Sequence, residues 1–395
     1  MRSLTREKIV AAVAVVALLA ALVDVSQAQQ APFDVNVVLP LTGPAAALGN
    51  SESEALKAAE QYLNKNGGIR GRRVHFAILD SQSSPQLDVQ LTNQILAKHP
   101  AVVIDGGPAT NCRGVSPLYA RGPVLACVSP AFYPEKGSYQ FASGVDSSDG
   151  MKTILAYIER RGWKRIAVLS LTDIAGQEAD KALQSFLATP EFRDVTPVAW
   201  EHFSPGDISI ATQLAKMRAS SPQAVIIWAT GSPVTTFYAA MRDAAWDIPV
   251  LGSNAVQSYA LTARYGSVMP KNYYIYSLAW PGYQRIESSE LKKALGTYFR
   301  AFEAAGVHPD GNTAMTWDST LIVVSAFQKL GTDATAEQIR DYVLNLHDYA
   351  GASGMFDFRS GNQRGLDLAD CIVVKWDHAK NLWEPVSGPA GAALR

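Results

Sequence analysis

Cysteine and histidine are scarce in this chain, with three Cys and six His among 395 residues. The histidines stand at positions 75, 99, 202, 308, 347 and 378, with no spacing that would gather them on a metal. No H-E-x-x-H, P-loop or G-x-S-x-G motif is present, so the usual local signatures of zinc proteases, nucleotide hydrolases and serine esterases are missing. Charge of one sign is also missing. The formal net charge is −1, and no block of Lys or Arg occurs, which argues against a nucleic-acid partner. Low-complexity tracts and short-period repeats are absent. The one long apolar run, Ile9–Val23, is shorter than the ~20 residues a spanning helix needs.

That run has a different meaning. Arg2, Arg6 and Lys8 precede it, and Ser26-Gln-Ala28 follows with small residues at the positions a signal peptidase reads. The expectation is a secretory signal peptide over residues 1–28 and a periplasmic mature protein. No Cys follows the cleavage point, so no lipid anchor is expected there. Hydrophobic residues at 48% are ample for sizeable cores, and the length suits two domains. An oxidising compartment permits one disulfide among Cys112, Cys127 and Cys371. Cys112 and Cys127 fall at or just after neighbouring predicted strands and could meet. Three reduced, buried cysteines are the alternative.

The mature chain alternates strands and helices. Val35, Val37, Val38 and Leu39 make a mostly apolar run, as a strand buried on both faces requires. Ala55, Leu56, Ala59, Tyr62 and Leu63 keep a helical period, Gly67 and Gly68 stop that helix, and Val74, Phe76 and Ile78 alternate as a strand. Strands are further predicted at 101–104, 123–128, 166–171, 195–203, 223–230, 249–252, 273–279, 356–358 and 371–376. Helices are predicted at 176–188, 208–219, 233–245, 288–305, 314–330 and 335–346, with others starting near Ser84 and Met151. Repeated βα alternation means α/β architecture: parallel sheets flanked by helices, with ligand loops at the carboxyl ends of the strands.

Pro40-Leu-Thr-Gly-Pro44 at a strand end, a helix, and Asn66-Gly-Gly-Ile-Arg-Gly71 before the next strand resemble the opening of the bacterial branched-chain amino-acid-binding proteins. These are periplasmic receptors of ABC importers. Phe203-Ser-Pro-Gly-Asp207 and Met315-Thr-Trp-Asp318 resemble two later phrases of that family, in register over nearly the whole mature chain. The resemblance implies two Rossmann-like lobes and three hinge crossovers, near Val145, Ala279 and Met355, as in the type I periplasmic binding fold. Lobe 1 would take residues 29–145 and 280–354, and lobe 2 residues 146–279 and 355–395. It also implies a monomer that closes over a ligand and delivers it to an inner-membrane permease.

Site residues follow from the same alignment of loops. Ala109, Thr110 and Asn111 correspond to a carboxylate-binding turn, and a strand end meeting a helix start suits such a site, as it would suit an unliganded cap. Ser129, Ala131, Phe132 and Tyr133 occupy the next loop, where the family offers a backbone carbonyl and a hydroxyl. Tyr133 stands in place of a smaller Thr, or is simply a surface tyrosine. The carboxylate that holds an amino-acid ligand's ammonium group falls most plausibly at Asn254, which cannot neutralise a buried cation. Leu48 replaces a Tyr over the ligand. Ile174, Ala175, Gly231 and Ser232 are second-lobe loop candidates. Trp280 either lines the pocket, with Tyr283, or packs the interlobe linker. Together these favour a small carboxylate-bearing ligand, an aromatic or aliphatic acid, without metal or cofactor. The alternatives are a branched-chain or other amino acid, a ligand sensor, and a secreted hydrolase.

Overall fold

The computed structural model describes residues 31–229, 233–278, 281 and 286–394. The expected signal peptide, Gly231, Ser232, Trp280 and Tyr283 lie outside the described residues.

The chain opens with β1 (Phe33–Leu39), α1 (Ala46–Lys65), β2 (Val74–Asp80), α2 (Pro85–Leu96), β3 (Val102–Asp105), α3 (Ala109–Val115), β4 (Val124–Cys127) and β5 (Gln140–Ala142). These strands form one five-stranded sheet in the order β2-β1-β3-β4-β5, parallel throughout. The central place of β1 explains its apolar run. Val37 pairs with Ile78 on one side and Ile104 on the other. Val37 and Val38 feed separate buried clusters on the two faces of the sheet, as a period of two demands. The α1 helix ends at Lys65, where Gly67 (φ 90°) and Gly68 (φ 59°) take left-handed backbone that favours glycine.

A second series follows: α4 (Ser147–Arg160), β6 (Arg165–Leu171), α5 (Ile174–Leu187), β7 (Thr196–Phe203), α6 (Ala211–Ala219), β8 (Ala224–Trp228), α7 (Pro233–Asp243), β9 (Val250–Gly252), α8 (Tyr259–Tyr265) and β10 (Tyr273–Leu278). Then come α9 (Ser289–Ala305), α10 (Gly311–Leu330), α11 (Ala336–Leu344), β11 (Tyr349–Ala350), β12 (Met355–Phe356), β13 (Cys371–Asp377) and β14 (Leu382–Pro385). The second sheet has seven strands in the order β14-β13-β10-β9-β8-β6-β7. Strands β6 to β10 pair in parallel, while β13 and β14 add antiparallel at one edge. The long helices α9 and α10 return to the first sheet and pack on α1. Trp317 of α10 meets Tyr62 with ring centres 5.2 Å apart, and Phe327 meets Phe33 at 4.7 Å.

The strand expected over 356–358 is a correction. Only Met355–Phe356 pairs as a strand, because the Asp357 carboxylate accepts from the Arg359 N–H and the chain turns into a 3-10 helix over Phe358–Ser360. The short strands β5, β11 and β14 and the helix α8 had no strong periodicity to announce them. Cys112 and Cys127 are bonded to each other, and Cys371 is a buried free thiol. Among the described residues, no helix is long and apolar enough to cross a membrane.

Candidate functional site

The loops at the carboxyl ends of the first sheet are tightly supported from below. Asp80, the last residue of β2, accepts from the N–H groups of Leu41 (2.9 Å), Thr42 (3.2 Å) and Gln82 (2.8 Å) and from the Thr42 hydroxyl (2.8 Å). It therefore pins the Pro40–Pro44 loop that leads into α1, where Leu48 sits half-buried.

Under the β3–α3 turn lies a set of buried acids. Glu52 of α1 accepts from the Gly107 N–H at 3.0 Å, and a side chain on Gly106 would put its Cβ 2.3 Å from the other carboxyl oxygen. That second oxygen has no partner within the protein, and the buried carboxyls of Asp88 and Asp105 face each other. Burial pushes the Glu52 carboxyl up to about 8, against the Gly107 bond, and nearby Asp310 adds to the rise. Burial first, and then the facing Asp88, hold Asp105 well above the ordinary carboxylate range. The turn thus rests on acids whose burial favours the protonated form, Glu52 being mostly protonated at neutral pH.

Beyond the turn, α3 begins at Pro108 with no side-chain cap, and Thr110 in its first turn is exposed. Ala109 beside it is half-buried. Asn111 faces inward instead: it is buried, and its amide donates to the Ser81 hydroxyl at 3.4 Å.

The Ser129–Tyr133 loop after β4 is gripped by two arginines. Arg113 of α3 donates to the Ala131 carbonyl at 2.9 Å. Arg364 donates to the carbonyls of Pro130 (3.2 Å), Phe132 (2.8 Å) and Gly144 (3.4 Å). Three consecutive loop carbonyls, 130 to 132, are therefore taken by guanidinium groups. Both arginines also lie against the Tyr133 ring, at 5.8 and 5.6 Å from its centre, and Tyr133 is 41% exposed. Arg364 is only 4% exposed. Burial pulls its pKa below the ordinary value, opposed by Asp146, Tyr133 and Asp149. Ser129 is buried, and Phe132 packs into the core cluster with Val38, Cys112 and Leu125 rather than standing open.

Across the cleft, Asp173 caps α5 by accepting from the Gly176 N–H at 2.9 Å. A Cβ on Gly176 would fall 1.8 Å from the Leu171 carbonyl oxygen, so glycine is what lets the helix start this close to β6. Ile174 is 41% exposed, Ala175 is half-buried, and Glu178 stands one turn further along the helix. Glu178 forms an ion pair with Arg113 at 3.6 Å, so α3 and α5 meet across the two halves of the molecule. On another part of the cleft, Asp310 at the start of α10 accepts from the Tyr259 N–H (3.0 Å) and the Ser51 hydroxyl (3.3 Å), and the Gly311 N–H donates to the Gln257 carbonyl at 3.1 Å. Asn254, in the short turn after β9, is 6% exposed. Asp247 stays at the opposite end of β9, where its carboxylate accepts from Asn272 at 3.3 Å.

The structure thus brings Leu48, Thr110, Ala131 and Tyr133 to strand ends of one sheet, and Ile174, Ala175 and Asn254 to strand ends of the other. It buries Asn111, Ser129 and Phe132. Arg113 and Arg364 are what the sequence reading missed. Arg364 lay inside a polar turn, Arg359–Arg364, and no local pattern ties it to carbonyls more than 200 residues away. A shallow groove of ≈ 370 Å³, lined by Phe33, Lys98, Pro100 and Phe327 among others, opens at the amino ends of β1 and β3, away from these loops.

No cluster of three or more His, Cys, Asp or Glu able to hold a metal occurs among the described residues. A Ser–Asp–His grouping among the described residues has the wrong order for nucleophilic catalysis. Asp180 sits in the middle, accepting from Ser170 at 2.7 Å and meeting His202 at 2.7 Å, so serine and histidine do not face each other.

Known proteins share this fold. The family model described as "Periplasmic binding protein" matches residues 32–381. The Leu/Ile/Val-binding protein homolog 3 of Brucella melitensis is 23% identical over 246 residues, which span 60% of this chain and 66% of that protein. The leucine-, isoleucine-, valine-, threonine- and alanine-binding protein of Pseudomonas aeruginosa is 21% identical over 85% of this chain and 88% of its own length. An extracellular ligand-binding receptor from Rhodopseudomonas palustris HaA2 shares the fold with a TM-score of 0.78, at 20% identity, over 90% of this chain and 100% of that one.

Proposed function

Because this chain belongs to the periplasmic binding protein family, we propose that it is the solute-capturing subunit of an ABC importer, holding a small carboxylate-bearing ligand between its two sheets. The lobes take residues 29–145 with 280–354 and 146–279 with 355–395. Hinge closure buries the ligand, and the inner-membrane permease reads the closed state. The leader over 1–28 directs the chain to the periplasm.

One observation carries the binding reading: helices that start at strand ends of the two sheets are joined by the Arg113–Glu178 pair, and the start of α10 is joined to the start of α8 by Asp310–Tyr259. Parallel sheets bind ligands at that end of their strands. Thr110 supplies a hydroxyl for a carboxylate, while Leu48, Tyr133 and Ile174 supply apolar surface from both sides.

The ligand's second feature is the absence of an amine. The Ala131 carbonyl, a natural acceptor for an ammonium group, already takes a hydrogen bond from a cation, and Asn254 offers no negative charge. An ammonium placed there would stand beside the Arg113 guanidinium, and the carboxylate at hand, Glu178, is already paired with that arginine at 3.6 Å. An aromatic or aliphatic acid fits better. The amino-acid reading is favoured by the relatives named for leucine, isoleucine and valine binding.

A thermal-shift panel on the protein from Gln29 onward separates the two. Branched-chain amino acids, aromatic acids and aliphatic acids are tested side by side, since a ligand that binds only the folded state raises the melting temperature by mass action. Stabilisation by acids lacking an amine supports the first reading. Stabilisation by leucine and by no such acid overturns it.

A further inference from the structure

We propose that Arg113 is a specificity-determining residue that reads a second anionic group on the ligand, so that the preferred cargo is a dicarboxylate. This rests on the carboxylate reading above and extends it.

The two arginines of the loop differ in what they have left to give. Arg364 is buried, and its guanidinium is spent on three carbonyls. Arg113 keeps 30% of its side chain exposed and makes one hydrogen bond, to the Ala131 carbonyl. Its other partner, Glu178, stands at 3.6 Å, close enough for attraction but beyond a good hydrogen bond, and is itself 40% exposed. A guanidinium carries five N–H donors in a planar fork that matches a carboxylate. Both partners meet the Nη2 nitrogen, which leaves the Nε and Nη1 donors without a hydrogen bond among the described residues.

Helix spacing places this cation beside the ligand. Thr110 and Arg113 are three residues apart on α3, and Ile174 and Glu178 are four apart on α5, so each pair shares one helix face. Side chains so spaced lie ~5–6 Å apart at their Cβ atoms. A ligand with one carboxylate at Thr110 therefore presents its far end to Arg113. If that end is a methyl group, Arg113 keeps its loose pair with Glu178. If it is a carboxylate, the arginine gains a bidentate partner and Glu178 is displaced toward solvent. Tyr133, against which Arg113 already lies, packs the span between the two ends.

The test is calorimetric titration of the protein from Gln29 onward with matched pairs: terephthalate against 4-methylbenzoate, and adipate against hexanoate. Each diacid is expected to bind about tenfold more tightly than its monoacid, the margin one charge-assisted contact supplies. In Arg113→Gln that margin collapses. Glu178→Gln removes the competing anion and widens it, and this exposed substitution keeps the test usable if Arg113→Gln folds poorly. Monoacids that bind with no diacid margin, or a margin that survives Arg113→Gln or fails to widen in Glu178→Gln, overturn the Arg113 assignment alone. Binding of leucine, with neither acid of either pair bound, overturns the underlying carboxylate reading instead. No binding by any of these overturns both.

Discussion

Replacing Glu52 by Gln is expected to stabilise the protein, by an amount that grows with pH. Glu52 is fully buried beneath the β3–α3 turn, and one of its oxygens has no partner. Burial raises its carboxyl from an ordinary 4.5 to about 8. A group whose pKa is raised by folding contributes its full stability below the unfolded value, and that contribution falls as pH climbs through the folded value. Working the linkage through for those two values, the ionisable side chain lowers stability by ~1 kcal/mol at pH 5, ~3 kcal/mol at pH 7 and ~4 kcal/mol at pH 8. Glutamine keeps an oxygen to accept from the Gly107 N–H, has nearly the volume of the protonated acid, and cannot ionise. Urea unfolding of wild type and Glu52→Gln at pH 5, 7 and 8 reads the difference directly. The variant should be close to wild type at pH 5 and ahead by a few kcal/mol at pH 8. A variant less stable at every pH, or an advantage that does not change with pH, would refute the view that Glu52 sits protonated beneath the turn.

Other perturbations separate support from contact. Converting both Cys112 and Cys127 to Ser opens a loop with a sequence separation of 15. Denaturant unfolding should then show a loss of ~3 kcal/mol, the chain-entropy value for such a loop; an unchanged midpoint would contradict it. Asp318 of α10 accepts from the N–H groups of Ala352 and Ser353, both at 2.7 Å in a buried setting. Asp318→Ala leaves both donors unpaired and should cost ~2–4 kcal/mol by the same assay, while Asp318→Asn, which keeps one acceptor, should cost less. Thr110→Ala should weaken a carboxylate ligand by about tenfold without lowering the melting temperature of the free protein. An unchanged Kd would remove Thr110 from the site.

The parts of this protein that were legible in its sequence are those written in short-range patterns. The apolar run at Val35–Leu39 announced a central strand, and it lies between two neighbours. The Asn66-Gly-Gly turn ended a helix where left-handed backbone was needed. Asp80 and Asp105 both end strands of the first sheet, yet Asp80 holds a loop directly, whereas Asp105 is a buried acid facing Asp88. The Cys112–Cys127 pairing was legible only as far as neighbouring strands, because bonding depends on how α3 folds back over β4. What stayed hidden depends on distant partners. Arg364 reaches the 130–132 carbonyls from the far end of the chain, and Arg113 looked like any helix residue until Glu178 and Ala131 arrived beside it. Phe132 and Asn111 carry side chains suited to a ligand site, and tertiary packing turned both inward.

The central claim is that the two sheets clasp a carboxylate whose owner carries no amine. Leucine and 4-methylpentanoate differ by that amine alone, so titrating each into the protein from Gln29 onward, in a calorimeter at pH 7, tests the claim most directly. The account predicts one-to-one binding of 4-methylpentanoate with leucine at least about tenfold weaker, since an ammonium group there would meet the Arg113 cation, whose neighbouring carboxylate, Glu178, is already paired. Tight one-to-one binding of leucine with none of 4-methylpentanoate would contradict it.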